Sequence, residues 1–143
     1  MADTKATPFL DTPAAVAAAV LDAIKNESNA FDMNSWFWNP GGGTLAPGAR
    51  PDCGTTMCAA GWAAHLTGWT LVCLAEDEQH EVTGRDDDGN DAPTRAQVYA
   101  RKGNESRLIC DVAQDALGLK ASETFWYANQ QIALKQLSEI AGR

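Results

Sequence analysis

A chain of 143 residues and 15.3 kDa suits one domain, which at this size buries about 70% of the surface its unfolded form exposes. Apolar residues at 45% and charged residues at 21% exclude wholesale disorder, and a formal charge of −8 argues against direct binding to nucleic-acid phosphates. The excess is local: residues 76–91 carry eight acids against the single base Arg85, whereas residues 53–75 contain no Asp, Glu, Lys or Arg.

The N-terminus lacks a basic region leading into an apolar core, so no export signal is expected, and residues 1–11 read as a loose segment before a globular domain over 12–143. Thr12 then offers an N-cap and Pro13 a first helical position. Val16, Val20, Leu21 and Ile24 supply the apolar stripe of a helix over about 13–26. The aromatic run Trp36-Phe37-Trp38 has no helical period and leads into Asn39-Pro40-Gly41-Gly42-Gly43, which is loop punctuation. It reads first as a strand or turn pinned into the core. The functional alternative is a recognition patch carried by Trp36 and Trp38.

A second helix is expected from Thr55 or Thr56 to Gly68; being small or apolar all round, it reads as a buried central helix. Trp69–Leu74 reads as a strand with Gln79–Thr83 as its partner. The segment Asp86-Asp87-Asp88-Gly89-Asn90-Asp91 is turn chemistry, with Asp88-Gly89 the hairpin signal. Gln97-Val98-Tyr99-Ala100 is a further strand candidate. Asn104 is read as the cap of a third helix closed by Gly118, Ser122 as the cap of a short turn bearing Phe125 and Trp126, and Asn129 as the cap of the last helix. Within that last helix Ile132, Ala133, Leu137 and Ile140 are expected to face inward. The fold class that follows is α+β: a mainly helical single domain with a buried central helix and a small β-hairpin bearing the acidic turn.

The most distinctive string is Cys53-Gly54-Thr55-Thr56-Met57-Cys58-Ala59-Ala60-Gly61-Trp62-Ala63. Together with Leu117-Gly118-Leu119 and Phe125-Trp126, it resembles a C-G-T-x-x-C-x-A-G-W-A pattern of small uncharacterised proteins from actinobacteria and their bacteriophages. The resemblance spans roughly 50–140. It implies a phage or prophage setting and no transferable activity.

The motif reads first as structural: Gly54 reverses the chain, Gly61 lets another backbone approach, and Cys53, Cys58 and Trp62 pack around them. An enzymatic alternative makes Cys58 or Cys53 a nucleophile, its thiolate favoured by a helix N-terminus. A metal alternative gathers Cys53, Cys58, His65 and Cys73 around zinc, although C-x4-C-x6-H-x7-C is no ribbon, knuckle or finger spacing. A Cys53–Cys58 disulfide is a further alternative to reduced thiols in a cytoplasm. The Asp86–Asp91 cluster lacks the acidic twelfth-position ligand of a calcium loop and reads as a solvated turn. No P-loop, dinucleotide fingerprint, G-x-S-x-G or H-E-x-x-H is present, so no catalytic, cofactor or metal residue is assigned.

Neither residues 12–21 nor 53–75 are apolar enough for a membrane span. The expected function is therefore a non-enzymatic cytoplasmic protein, of the host cytoplasm if phage-encoded, that binds a host or phage protein partner. The candidate contacts are Asp86, Asp87, Asp88, Trp36 and Trp38. An acidic nucleic-acid mimic is a further alternative, and the oligomeric state is left open.

Overall fold

Thr12 turns the chain into its first helix: its Oγ1 accepts from the Ala15 amide at 3.2 Å, and Pro13 occupies the first helical position. The computed structural model describes residues 12–39, 42–51 and 54–143. The loose segment expected over 1–11 lies outside the described residues, as do Pro40, Gly41, Asp52 and Cys53. Helix α1 runs Pro13–Asn26 and buries Val16, Val20 and Ile24 of the expected stripe together with Ala17, while Leu21 is only partly buried against the core.

A single 3-10 turn, Ser28–Ala30, follows, and the chain then runs alongside the residues that precede the second helix. The Trp38 amide donates to the Thr56 carbonyl at 2.7 Å and the Trp38 carbonyl accepts from the Thr56 amide at 3.0 Å, while the Met57 amide donates to the Ala30 carbonyl at 2.8 Å. These bridges explain why helix α2 is shorter than expected, Ala59–Leu66. Thr55 and Thr56 do not cap it, because the backbone of Thr56 and Met57 is already committed to extended pairing. Cys58 takes the cap position without a side-chain bond. Every residue from Ala59 to His65 is buried, as a helix apolar on all sides must be.

Six strands make one mixed sheet: β1 Gly43–Leu45, β2 Thr70–Cys73, β3 His80–Arg85, β4 Asp91–Ala96, β5 Val98–Lys102 and β6 Glu105–Arg107. Their spatial order is β1-β2-β5-β6-β3-β4. The chain is thus an α+β domain with a substantial sheet, not a helical domain with one small hairpin. Strand β2 pairs with β1 and β5, and β3 pairs with β4 and β6, so the expected pairing of Trp69–Leu74 with Gln79–Thr83 does not form. Leu71 and Ala100 sit opposite each other and join the main core, whereas Val72 and Tyr99, one residue along, join a smaller cluster with Val82 and Ala96.

Helix α3, Ile109–Ala116, starts five residues beyond Asn104 because Glu105–Arg107 pairs back on β5. Asn104 is a residue of the tight turn between those strands, not a helix cap; Leu108 holds the cap position. At the far end Gly118 has φ +65° and its amide donates to Asp115 while that of Leu119 donates to Gln114, the expected Schellman closure. A 3-10 turn over Ala121–Glu123 is preceded by Lys120 at its cap, not by Ser122, and Phe125 and Trp126 follow it into the core. Helix α4, Gln130–Ala141, is capped by Asn129, whose Oδ1 accepts from Ile132 at 2.9 Å. Ala133 and Leu137 are buried, but Ile132 is half exposed, contrary to its expected inward position. Helix α1 packs on α4 and α2, and α2 packs on α3 and β2, which puts α2 at the centre. Among the described residues no helix is long and apolar enough to cross a membrane.

Candidate functional site

The aromatic run divides by side. Phe37 is fully buried, Trp36 is partly buried against the core and Trp38 is 49% exposed, so the run is neither wholly core nor wholly surface. Backbone pairing of residues 30–38 with 56–58 fixes that division, since successive side chains of extended chain alternate in direction. Trp36 meets Tyr127 edge-on, with ring centroids 5.8 Å apart and an interplanar angle of 82°. Tyr127 is 92% exposed, the most exposed large aromatic among the described residues. It follows Phe125 and Trp126, both buried, at the junction that leads into α4. Sequence reasoning missed Tyr127; nothing in Phe125-Trp126-Tyr127 itself says which of three consecutive aromatics faces out.

Cys58 lies beneath this face and, with Trp36, Trp126 and Tyr127, lines a small cavity of about 190 Å³. Burial pushes its thiol up to about 11, outweighing the opposing hydrogen bonds from the Gly61 and Ala60 amides at the α2 N-terminus. Cys110, also buried in part and beside Asp111, is likewise raised to about 11. Neither is a thiolate at neutral pH. Cys53, the alternative nucleophile and a partner in the alternative disulfide, lies outside the described residues; Cys58, Cys73 and Cys110 are free thiols. Among the described residues no three His, Cys, Asp or Glu side chains come together as a metal site, so Cys58, His65 and Cys73 do not converge.

The acidic turn is a five-residue loop, Asp86–Asn90, between β3 and β4. Asp86 is structural: its Oδ1 accepts from the Asp88 and Asn90 amides at 3.0 and 2.9 Å. Asp87 and Asp88 are exposed. Among the described residues no hydrogen bond, ion pair or aromatic contact joins this turn to Trp36 or Trp38.

Four basic residues around the turn, Arg85, Arg95, Lys102 and Arg107, make contacts within the fold. Arg107 forks onto Asp91 at 2.9 and 3.2 Å and also pairs with Glu105, while Arg85 pairs with Asp115 on α3. Bonding to Arg107 lowers the Asp91 carboxyl below its usual range. Asp111 behaves oppositely: burial raises its carboxyl in spite of nearby Arg85, and its Oδ2 has no hydrogen-bond partner. Arg95 donates to the Gln79 carbonyl, and Lys102 sits over the Trp69 ring. The Arg85–Asp115 pair ties the β3–β4 hairpin to α3, and among the described residues no ion pair engages Asp87 or Asp88.

The motif's Trp62 meets His65 edge-on, with ring centroids 5.9 Å apart. His65 Nε2 lies 2.8 Å from the Ala49 carbonyl, which requires Nε2 to carry the proton. Burial lowers the imidazole below its ordinary value, so the ring is neutral at pH 7. No family model, no curated protein and no solved structure matches this chain.

Proposed function

We propose that this protein is a non-enzymatic binding protein of phage or prophage type that docks on a host or phage protein through the face formed by Tyr127 and Trp36. The observation that carries this reading is the Tyr127 ring, 92% exposed and held edge-on by Trp36. An aromatic ring positioned before contact loses little side-chain freedom on binding, which is why such residues act as interface anchors. The raised thiols of Cys58 and Cys110 favour binding over cysteine chemistry. The phage setting rests on the motif's resemblance alone.

The test is capture of a partner from lysate by tagged protein at low and moderate salt, with Tyr127→Ala beside wild type. The reading expects one protein retained by wild type and lost from Tyr127→Ala, with an unchanged thermal midpoint. Capture that is indifferent to Tyr127 moves the interface elsewhere. Failure to capture any protein overturns the reading.

A further inference from the structure

The half-exposed Ile132 lies on a stripe of α4 that the core covers only in part. Ile132, Gln136, Glu139 and Ile140 recur at i, i+4, i+7 and i+8, so they share one face of the helix, whereas Ala133 and Leu137 are buried. That face lines a groove of about 680 Å³, and residues between 119 and 128 supply the rest of the lining. Leu119, Phe125 and Ile140 belong to the core or pack on it, while Ile132 and Tyr127 are 47% and 92% exposed. From Ile132 to Ile140 the helix rises about 12 Å, which is room for a length of chain and not just one side chain. Tyr127 and Ala128 also line the small cavity at Cys58, so the groove adjoins the Tyr127–Trp36 face.

The charge of this groove has one sign. Among the described residues the charged members of its lining are Glu123 and Glu139, both exposed, and neither Lys120 nor Lys135 lines it. Glu123 is held in place, because its Oε1 accepts from the Lys120 amide at 2.8 Å. Among the described residues neither carboxylate takes part in an ion pair, unlike Asp91 and Asp115. The groove thus combines exposed apolar side chains with two carboxylates that lack an internal counter-charge. A symmetric contact with a second copy would bring the same acids from both halves into one interface, adding like charge.

We infer that the groove takes a short segment of a protein partner that presents apolar side chains to Ile132 and Tyr127 and Lys or Arg to Glu123 and Glu139. This rests on the docking role of the Tyr127 face and names the chemistry of what docks there.

The test uses three fluorescein-labelled peptides that share one pattern of Leu positions and carry Lys, Gln or Glu at the remaining ones. Binding to the full-length protein is followed by fluorescence anisotropy at moderate salt, which screens the field of distant charges. The Lys peptide is expected to bind about three- to tenfold more tightly than the Gln peptide, and the Glu peptide more weakly than either. Glu123→Gln with Glu139→Gln should remove that preference and leave the Gln peptide unchanged; Gln at 123 keeps an oxygen for the Lys120 amide. Should the pair disturb folding, Glu139→Gln alone decides by removing part of the preference. Ile132→Ser should weaken the Lys and Gln peptides alike, and Asp87→Asn with Asp88→Asn should leave the preference intact. A Lys preference that ignores the two glutamates, or that falls as much in the Asp87 and Asp88 variant, overturns the proposal. So does the absence of Lys-peptide binding, or a dimer in solution that Ile132→Ser dissociates. If lysate capture still depends on Tyr127 in those cases, the docking role stands and only the basic segment is removed; if capture fails as well, both fall.

Discussion

At residue scale the clearest constraint is Gly61. A Cβ placed there would lie 2.3 Å from the Trp36 carbonyl oxygen and 2.8 Å from the Met57 Cβ, so the extended segment packs directly on the helix backbone. Gly61→Ala is expected to destabilise by about 2 kcal/mol or more, since the clash is with backbone and cannot be relieved by a rotamer change. Chemical denaturation measures it, and an unchanged midpoint would mean the two segments separate freely. His65 is the second case. Its pKa is lowered by burial from the ordinary 6.5, so the unfolded chain binds the proton more readily than the folded one. The stability this group contributes is full above about pH 6.5 and is lost as the pH falls through the lower folded value. Between pH 7 and 5 the thermal midpoint of wild type should therefore fall more steeply than that of His65→Gln; parallel curves would show that His65 titrates normally. Gly61 and Trp62 were legible in the sequence as a packed motif. The contact of His65 with Ala49 was not, because pairing depends on what the rest of the chain places around a side chain.

Among the elements, helices were read better than strands. Thr12 and Asn129 cap α1 and α4 as their side chains announce, and Gly118 closes α3, because caps are local chemistry within four residues. The starts of α2 and α3 were misplaced for a common reason: the residues before each, Thr56-Met57 and Glu105–Arg107, are taken into backbone pairing with distant chain. Thr55, Thr56 and Asn104 are good caps in isolation, and long-range pairing overrides that preference. The β5–β6 and β3–β4 hairpins are in turn joined by Arg107, whose side chain is 18% exposed and reaches both Asp91 and Glu105. Arg107→Ala should lower the thermal midpoint by a few degrees, with the difference from wild type narrowing at high salt as the ion pairs are screened. A loss that is indifferent to salt would assign the role of Arg107 to packing of its stem.

For the whole molecule, the charge of −8 resolves into acids used inside the fold and acids left outside it. Asp91 and Asp115 neutralise Arg107 and Arg85, Asp86 folds the turn, and Asp87 and Asp88 are exposed with no ion pair among the described residues. Asp87→Asn with Asp88→Asn is expected to leave the thermal midpoint unchanged, whereas Asp86→Ala should lower the midpoint and cost about 0.5–1 kcal/mol of stability through the lost turn bonds. If the double variant loses partner capture while folding normally, the acidic turn belongs to the interface alongside Tyr127; retained capture confines its part to solubility.

The sequence by itself determined the caps of α1 and α4, the buried central helix, the acidic turn and the α+β class, all of which follow from spacing and side-chain chemistry over short stretches. Only the tertiary structure decided the six-stranded order, the division of Trp36, Phe37 and Trp38 between core and surface, and the meeting of Trp36 with Tyr127. Strand pairing in β1-β2-β5-β6-β3-β4 is non-local, so its partners are chosen by the burial of whole faces and leave no local signature. An aromatic residue likewise reads the same in sequence whether a neighbour covers it or leaves it to solvent.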